Sequence, residues 1–332
     1  MLNLQKTENT TFNELNDYVL RVKNELSATA AATCIIHHDR IVNEWYSGVH
    51  TESTGSRLVD EESQFHVASV RKTYLGLAIS LALYEGKICS IDDDVANYLD
   101  DVDTVVVGNT TIRHLLTHTH GLGDLHHRLF LPGTDWKYNN VGVNLLIKII
   151  QKLYHMPLSQ LLEERVFTPM GFSHTGWRKE PNEKLVWLLN EQYKDNQGDE
   201  ANLFVSTKEL AYWGYLHLKR GAMHGQQIVP REVFEQATTI ISPPDLEHQL
   251  PRNGFFWFVQ DEPRAMTELG DDLPSGSFQS LGITGCACLV IPKYRTVAVR
   301  MYNQTGSNPA GYDYLEDIKT FGNLVNKCAQ DL

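Results

Sequence analysis

The chain has 332 residues, of which 42% are apolar and 21% charged, and its formal net charge is −12. This composition is typical of a globular protein that buries a large core. The negative charge argues against a nucleic-acid or anionic-membrane partner, because either is bound through a basic stripe. Solubility is the plainer consequence of such a charge.

Residues 1–10 lack the basic-then-apolar pattern of an export signal. No window of the sequence has the length and apolarity of a membrane-spanning helix. The five cysteines are odd in number and scattered, unlike a disulfide framework. We therefore expect a cytoplasmic protein, and export only if a leader has been trimmed from this sequence.

The first predicted element is an amphipathic helix over residues 12–26, capped by Thr10 or Thr11. A β-hairpin follows, with strands at residues 33–37 and 41–46.

Ser69 and Lys72 stand at the head of an apolar run, residues 73–84, which ends at Gly86. Apolar residues all round predict a helix buried on every side, and glycine is a common helix stop. Side chains three residues apart meet on one helix face, so the lysine would lie beside the serine.

Burial lowers the pKa of a lysine, and an uncharged amine can activate a serine nucleophile. The first turn of a helix also offers free N–H groups to a developing oxyanion. The S-x-x-K spacing is weak by itself, because a helix cap followed by a surface lysine has the same pattern.

Residues from about 73 to 245 are mostly helical patterns and loops. Among them, Tyr138 and Asn140 form a Y-x-N at the start of a predicted helix over residues 141–150. A phenol there can accept or relay a proton, and a carboxamide can hold a substrate carbonyl or the lysine.

The run Leu281-Gly282-Ile283-Thr284-Gly285-Cys286 leads into a predicted strand at residues 286–291. Paired glycines before a strand let a substrate backbone lie against its edge. The N–H of Cys286 is then a candidate oxyanion donor beside that of Ser69.

Further strands are predicted at residues 254–259 and 296–301, and a last helix at 312–326. Residues 268–277 are predicted to be a loop that could cover the site. Strands at both ends of the chain predict an α/β fold with one antiparallel sheet flanked by helices and a mainly helical insertion. The predicted α/β domain comprises residues 1–75 and 250–332, the inserted domain residues 76–249, and the site lies in the cleft between them.

Five histidines fall within residues 114–127, and His114 and His118 have a spacing that can chelate a metal from one helix face. No glutamate follows His114, so we expect no metal and no cofactor. Cys286 and Cys288 are expected to pack as small apolar side chains rather than to serve redox or metal chemistry.

Together these motifs resemble the serine β-lactamase and penicillin-binding-protein superfamily, in particular its class C-like branch with related esterases and D-aminoacyl peptidases. The resemblance covers roughly residues 30 to 305. The matching segments are Phe65–Lys72, Tyr84–Ile88, Asp92–Val95, Thr111–Leu122, Glu164–Phe172 and Val205–Leu210.

The resemblance implies that Ser69 is the acylated nucleophile and that Lys72 and Tyr138 share the proton transfers, in an order that stays open. It implies that Asn140 orients the substrate and Lys72. It also implies that Thr284 and Gly285 face the substrate, with the N–H groups of Ser69 and Cys286 as the oxyanion hole.

The sequence departs from this family at two positions. Ile283 stands where a lysine or histidine usually helps to hold a substrate carboxylate, and a charge-assisted hydrogen bond of that kind is worth about 1.5–3 kcal/mol. Its loss disfavours β-lactams and peptidyl-D-alanine, and export would be needed for a cell-wall substrate. His120 stands where serine is usual, and it places a titratable ring near the expected cleft mouth.

The leading hypothesis is a serine hydrolase that acts on small esters or amides through an acyl-enzyme on Ser69. A β-lactamase or D-alanyl-D-alanine carboxypeptidase is the alternative. A non-catalytic binding descendant is the third, since fold does not imply function. The oligomeric state stays open.

Overall fold

The computed structural model describes residues 4–7, 9–189, 191–223, 225–305 and 307–332. Its strands are β1 (Ala30–His37), β2 (Arg40–Gly48), β3 (Gln64–His66), β4 (Thr175–Trp177), β5 (Leu185–Val186), β6 (Leu203–Ser206), β7 (Ala222–Met223), β8 (Gln226–Gln227), β9 (Phe258–Val259), β10 (Phe278–Leu281), β11 (Ala287–Ile291) and β12 (Thr296–Tyr302). Its α-helices are α1 (Asn13–Glu25), α2 (Arg71–Tyr84), α3 (Thr104–Val107), α4 (Ile112–Leu116), α5 (Asn140–Tyr154), α6 (Leu158–Leu162), α7 (Thr168–Met170), α8 (Thr207–Leu218), α9 (Glu232–Glu235) and α10 (Tyr314–Gln330). None of these helices combines the length and apolarity that a membrane crossing requires.

The main sheet has six strands in the order β2-β1-β12-β11-β10-β9, and every neighbouring pair is antiparallel. The register of its central pair places Ala31 opposite Tyr302 and His37 opposite Thr296. Strands from both ends of the chain therefore build one antiparallel sheet, which confirms the predicted fold class.

The sheet lies between helices on its two faces. Helix α8 packs against β1, β11 and β12, and α1 and α10 pack against each other, with α1 also on β1. Gly214 of α8 permits the close approach, because a Cβ there would lie 2.6 Å from Cγ1 of Val297. The buried apolar side chains form two clusters, one on each side of the sheet.

A buried ion pair ties the sheet to the last helix. The Arg300 guanidinium donates to both carboxylate oxygens of Asp317, at 2.8 and 2.5 Å, and Tyr18 and Tyr312 donate to the same carboxylate. Although burial opposes it, the nearby guanidinium holds the pKa of Asp317 below its ordinary value. The charge is thus fully paired, as a buried charge needs to be.

Helix α2 has the predicted character, because every residue from Arg71 to Ala82 is buried. It ends at Tyr84, and Gly86 follows in the left-handed conformation. Tyr74 stacks on Trp213 of α8 with ring centroids 3.8 Å apart. Helix α2 therefore lies in the core, between α8, which packs on the main sheet, and the helices α5 and α9.

A second, four-stranded sheet in the order β4-β6-β3-β5 was not predicted. Its strands have two to four residues and are buried throughout, so they show no apolar–polar alternation. β3 belongs to the first predicted domain and β4 to β6 belong to the insertion. The domain boundaries stay a prediction, and both this sheet and the contacts of α8 cross them.

Two local predictions are wrong, and one strand was not predicted. Phe12, with no side-chain hydrogen bond, is the N-cap of α1, so neither Thr10 nor Thr11 caps it. In the segment 254–259 only β9 is a strand, because Phe256 is left-handed and breaks the extended run. β10 was missed.

Candidate active site

Ser69 lies on a short connection between β3 and α2. Ala68 to Val70 form one turn of 3₁₀ helix, and Ala68 has φ 46°, a left-handed conformation uncommon for a residue with a Cβ. This tight turn carries Ser69 to the wall of a cavity while its neighbours Ala68 and Val70 stay buried. The nucleophile thus precedes the helix rather than lying in its first α-helical turn.

The structure brings Ser69, Lys72 and Tyr138 into mutual contact. The Lys72 Nζ donates to the Ser69 Oγ at 2.8 Å and also to the Tyr138 hydroxyl. The Ser69 and Tyr138 hydroxyl oxygens are 2.5 Å apart. A proton can therefore pass between any two of these groups without an intervening water.

Lys72 is only 4% exposed. Burial lowers its pKa to about 7, and the neighbouring Arg71 guanidinium acts in the same direction. A substantial fraction of the amine is consequently uncharged near neutral pH, which a general base requires.

Tyr138 has the opposite tendency. Although 42% of the residue is exposed, its hydroxyl lies deep against Lys72 and Ser69. Burial raises its pKa above the ordinary value, and the hydrogen bond with Ser69 and the charge of Arg71 offset part of that rise. The phenol therefore keeps its proton near neutral pH and can donate it.

His118 positions Tyr138, a role that the sequence did not reveal. The two rings lie 4.6 Å apart, and the His118 carbonyl accepts the N–H of Lys137 at 3.0 Å. Burial lowers the pKa of His118 well below its ordinary value, so the ring is neutral. The available sequence signal was that His118 lies in segment 111–122, which resembles the family.

The three groups open onto a cavity of about 590 Å³. Its wall also includes His66, Arg71, Asn140, Glu191, Tyr193, Glu268, Leu281, Gly282, Ile283 and Tyr314. A larger cavity of about 1000 Å³, between residues 6–16 and 41–61, contains none of the predicted site residues. Chemistry, not size, identifies the smaller one as the candidate site.

Thr284 and Gly285 were predicted to face the substrate and the Cys286 N–H to serve as an oxyanion donor, but none of the three residues lines the cavity. The Thr284 hydroxyl donates to the His66 carbonyl at 2.7 Å, and the Cys286 thiol is buried against the Tyr302 carbonyl. Gly285 packs on the Tyr302 ring, because a Cβ there would lie 2.5 Å from it. The cavity wall is formed three residues earlier, by Leu281, Gly282 and Ile283.

This change of register moves the second candidate oxyanion donor from Cys286 to Ile283. It also moves the position at which the resemblance leads one to expect a lysine or histidine from Ile283 to Ser280. Among the described residues, neither the Ser69 N–H nor the Ile283 N–H has a hydrogen-bond acceptor. A Cβ on Gly282 would lie 2.3 Å from the Val67 carbonyl oxygen, which shows how closely the wall abuts the nucleophile turn. Both segments of a two-donor site are therefore adjacent.

Asn140 begins α5 and lies on the cavity wall, so it can contact a substrate. Within the described residues its side chain makes no hydrogen bond to Lys72, so the structure lacks that predicted contact. The neighbouring Asn139 caps the helix and donates to the Leu122 carbonyl at 3.0 Å. Ile283 is 79% exposed at the cavity rim, where the side chain can influence specificity.

The prediction that His120 lies near the cleft mouth is wrong. The residue is 1% exposed and packs against Gly142 of α5, away from the cavity. Burial lowers its pKa to about 4, and its Nδ1 accepts the N–H of Leu122 at 3.0 Å. The ring is a neutral support for α5.

Glu268 and Tyr314 are cavity residues that the sequence analysis missed. Burial raises the pKa of Glu268 to about 7, and the Tyr314 hydroxyl lies 3.3 Å from its carboxylate. Neither residue belongs to a recognisable motif. The loop over residues 268–277 was the only signal.

The described residues contain no cluster of His, Cys, Asp or Glu that could hold a metal ion. His114, one of the predicted pair, accepts the Thr111 N–H and completes a capping box at the start of α4. Cys286 and Cys288 are both buried and pack against backbone carbonyls.

Comparison with known proteins gives one family and several similar chains. The Beta-lactamase family model matches residues 15–319. An uncharacterized protein of Alkalihalophilus pseudofirmus is 42% identical over 329 residues, which cover 95% of this chain and 97% of that protein. Esterase EstB of Burkholderia gladioli is 24% identical over 48% of this chain and 49% of its own length. A crystal structure of a putative beta-lactamase from Bacteroides dorei superposes with a TM-score of 0.76 at 14% identity, covering 96% of this chain and 99% of the other.

Proposed function

The chain belongs to the beta-lactamase family, and from that membership we propose that it is a serine hydrolase that cleaves small carboxylic esters or amides. The observation that carries the proposal is the mutual contact of Ser69, Lys72 and Tyr138 at the wall of the cavity. A nucleophile with a base in hydrogen-bond reach is the arrangement that acyl transfer needs.

The pKa values divide the roles of the two proton carriers. Lys72, with a pKa of about 7, is the group that can be uncharged and take the Ser69 proton. Tyr138, with a raised pKa, stays a phenol and can donate to the leaving group. We therefore propose Lys72 as the first base and Tyr138 as the acid.

In the first half-reaction the Ser69 Oγ bonds to the substrate carbonyl carbon while its proton moves to Lys72. The resulting oxyanion accepts the N–H groups of Ser69 and Ile283. The tetrahedral intermediate then expels the leaving alcohol or amine, which takes a proton from Tyr138, and Lys72 restores the phenol. In the second half-reaction water replaces the alcohol, and the same transfers release the acid and regenerate Ser69.

An ester or small amide fits the wall of the cavity better than a β-lactam does. Residues 278–286, which build that wall, contain no lysine, arginine or histidine. The resemblance to the family leads us to expect a cationic side chain in this segment, where it would bind the carboxylate of a β-lactam or of peptidyl-D-alanine. This chain has no such side chain there. The likeness to an esterase across 48% of this chain supports the same preference. β-Lactamase or D-alanyl-D-alanine carboxypeptidase activity is the second candidate, because of the family itself.

The test compares p-nitrophenyl butyrate with a chromogenic cephalosporin. We expect turnover of the ester and little turnover of the cephalosporin; the reverse would favour the second candidate. Intact mass spectrometry should detect an acyl adduct that Ser69→Ala abolishes. Ser80→Ala is the matched control, since Ser80 is a buried serine of α2, the helix that follows the nucleophile turn, and lies outside the cavity. An adduct that persists in Ser69→Ala would refute the nucleophile, and no turnover of either substrate would favour a binding role.

Replacing Ile283 by lysine tests the reason given for this preference. The new ammonium would stand at the exposed rim of the cavity and could pair with a substrate carboxylate. We expect cephalosporin turnover to increase relative to ester turnover by about tenfold, which corresponds to about 1.4 kcal/mol. An unchanged ratio would contradict the explanation.

A further inference from the structure

Arg71, the first residue of α2, is a buried guanidinium on the wall of the cavity. The residue is 5% exposed, and its Nε is buried without a hydrogen-bond partner. Among the described residues, no carboxylate or carbonyl accepts a hydrogen bond from it. An arginine keeps its charge under all ordinary conditions, so the site holds a permanent unpaired cation.

The other buried arginines of the described chain all have partners. Arg300 pairs with Asp317, Arg264 pairs with Asp261, and Arg252 donates to backbone carbonyls of residues 246–251. Burying an ion without a partner costs several kcal/mol. Arg71 is therefore the exception, and its position beside the nucleophile suggests that its partner is a ligand.

Nearby acidic groups do not neutralise Arg71. Asp199 attracts the guanidinium electrostatically, but it forms no ion pair with it and instead accepts from Gln151. Glu191 and Glu268 line the same cavity without forming an ion pair with Arg71. In the active form Lys72 is uncharged, so Arg71 is the fixed positive charge that a substrate would meet at this wall.

We propose that Arg71 is a substrate-binding residue and that the substrate of this hydrolase carries a carboxylate, which the Arg71 guanidinium binds inside the cavity. This inference rests on the proposed function and names its substrate class. A guanidinium binds a carboxylate through two parallel hydrogen bonds, which gives orientation as well as affinity.

The neighbours of this cation indicate where in the cavity the substrate carboxylate would lie. Burial lowers the pKa of the His66 imidazole to about 4, and the nearby Arg71 guanidinium acts in the same direction. His66 in turn contacts the Tyr193 hydroxyl at 2.8 Å. The carboxylate would therefore lie at the part of the cavity wall that Arg71, His66 and Tyr193 form, and the residue that holds it would lie outside the segment 278–286.

The experiment compares two pairs of esters at pH 8. The acyl pair is the mono-p-nitrophenyl ester of glutaric acid against p-nitrophenyl butyrate, and the leaving-group pair is 4-carboxyphenyl butyrate against phenyl butyrate. The readout is the ratio of kcat/KM within each pair for one protein. Loss of the Arg71 charge also changes the pKa of Lys72, and the ratio cancels that change because both esters use the same base.

We expect the wild type to prefer the carboxylate ester in one of the two pairs. Arg71→Gln should reduce that ratio at least tenfold, and Arg71→Lys should retain part of it. Arg40→Gln is the matched control: it removes the same charge from an exposed position on β2 and should leave the ratio unchanged. A second readout avoids turnover altogether, because glutarate should bind to Ser69→Ala in calorimetry and not to the Ser69→Ala/Arg71→Gln double variant.

The proposal is supported if removal of Arg71 abolishes the preference for the carboxylate ester. It is equally supported if removal of Arg71 abolishes glutarate binding. Equal ratios in wild type and Arg71→Gln, together with no Arg71-dependent glutarate binding, would overturn it, even if the pH profile moves. An Arg71→Gln protein that does not fold would overturn it as well, since the guanidinium would then serve the fold. Failure of every ester to acylate Ser69 would instead refute the proposed function, and the glutarate measurement would still report on Arg71.

Discussion

Replacing Lys72 by methionine should make the protein more stable while it abolishes catalysis. The pKa of Lys72 is lowered from 10.5 to about 7. That difference corresponds to about 5 kcal/mol at ~1.36 kcal/mol per pKa unit. The folded state bears this penalty because it holds an amine in a dry interior, and an apolar side chain of similar length removes it.

The direction of the pKa shift determines how the stability gain of Lys72→Met changes with pH. Below pH 7 the amine is protonated in both states, and the folded state bears the whole penalty. Between pH 7 and pH 10.5 the unfolded chain holds a proton that the folded chain lacks, so stability rises with pH. The expected gain from Lys72→Met is thus about 4 kcal/mol at pH 7 and about 2 kcal/mol at pH 9.

The hydrogen bonds of Lys72 to Ser69 and Tyr138 are lost at both pH values and lower the gain by about 1 kcal/mol each. The difference of about 2 kcal/mol between the two pH values is therefore the decisive quantity. Urea denaturation followed by tryptophan fluorescence measures it. Lys179→Met, at an exposed position without ion pairs in the described residues, is the control. The inference that Lys72 is a buried amine with a lowered pKa would be refuted by a stability gain that is equal at pH 7 and pH 9. It would also be refuted if the wild type were more stable than Lys72→Met at both pH values.

Three further predictions concern the site and the fold. Wild-type kcat/KM for p-nitrophenyl butyrate should rise through about pH 7 as Lys72 loses its proton. Tyr138→Phe should lower kcat/KM for ethyl butyrate, whose alkoxide leaving group needs a proton, by about 10²–10⁴, and a loss below threefold would contradict the acid role. Gly282→Ala should lower kcat at least about tenfold, because its Cβ would meet the Val67 carbonyl beside the oxyanion donors; unchanged kinetics would place the donors elsewhere. Asp317→Asn should destabilise the protein by about 3–5 kcal/mol in urea denaturation at pH 7, since it leaves Arg300 buried and uncompensated. The wild-type advantage should decrease as the pH falls towards the lowered pKa of Asp317, and an effect below about 1 kcal/mol would show that the pair is dispensable.

The sequence predicted the antiparallel sheet because its strands are long enough to be recognised. Strands β1, β11 and β12 are largely apolar runs of five to eight residues, and β2, with nine residues, forms a hairpin with β1. The second sheet could not be predicted in the same way, because strands of two to four buried residues carry neither length nor alternation.

At the site, fixed spacing on one turn was predictable and long-range geometry was not. Ser69 and Lys72 are three residues apart, so local structure alone brings them together. On the opposite wall, either Gly282 or Gly285 could be the glycine that lies beside the substrate. The sequence does not distinguish them, and only the tertiary packing of Gly285 on Tyr302 shows that it is Gly282. Arg71 and Glu268 were missed because an unpaired or buried charge is a property of the fold and not of a pattern.

The pairing of β1 with β12 has a consequence for synthesis on the ribosome. β1 ends at His37, but its partner β12 begins only at Thr296, more than 250 residues later. During translation the edge of β1 that pairs with β12 therefore stays unpaired until most of the chain has been synthesised. An unpaired apolar strand edge is prone to aggregation. The nascent protein should depend on chaperones until its C-terminal strands emerge, and truncation before β10 should leave Ser69 without its oxyanion wall.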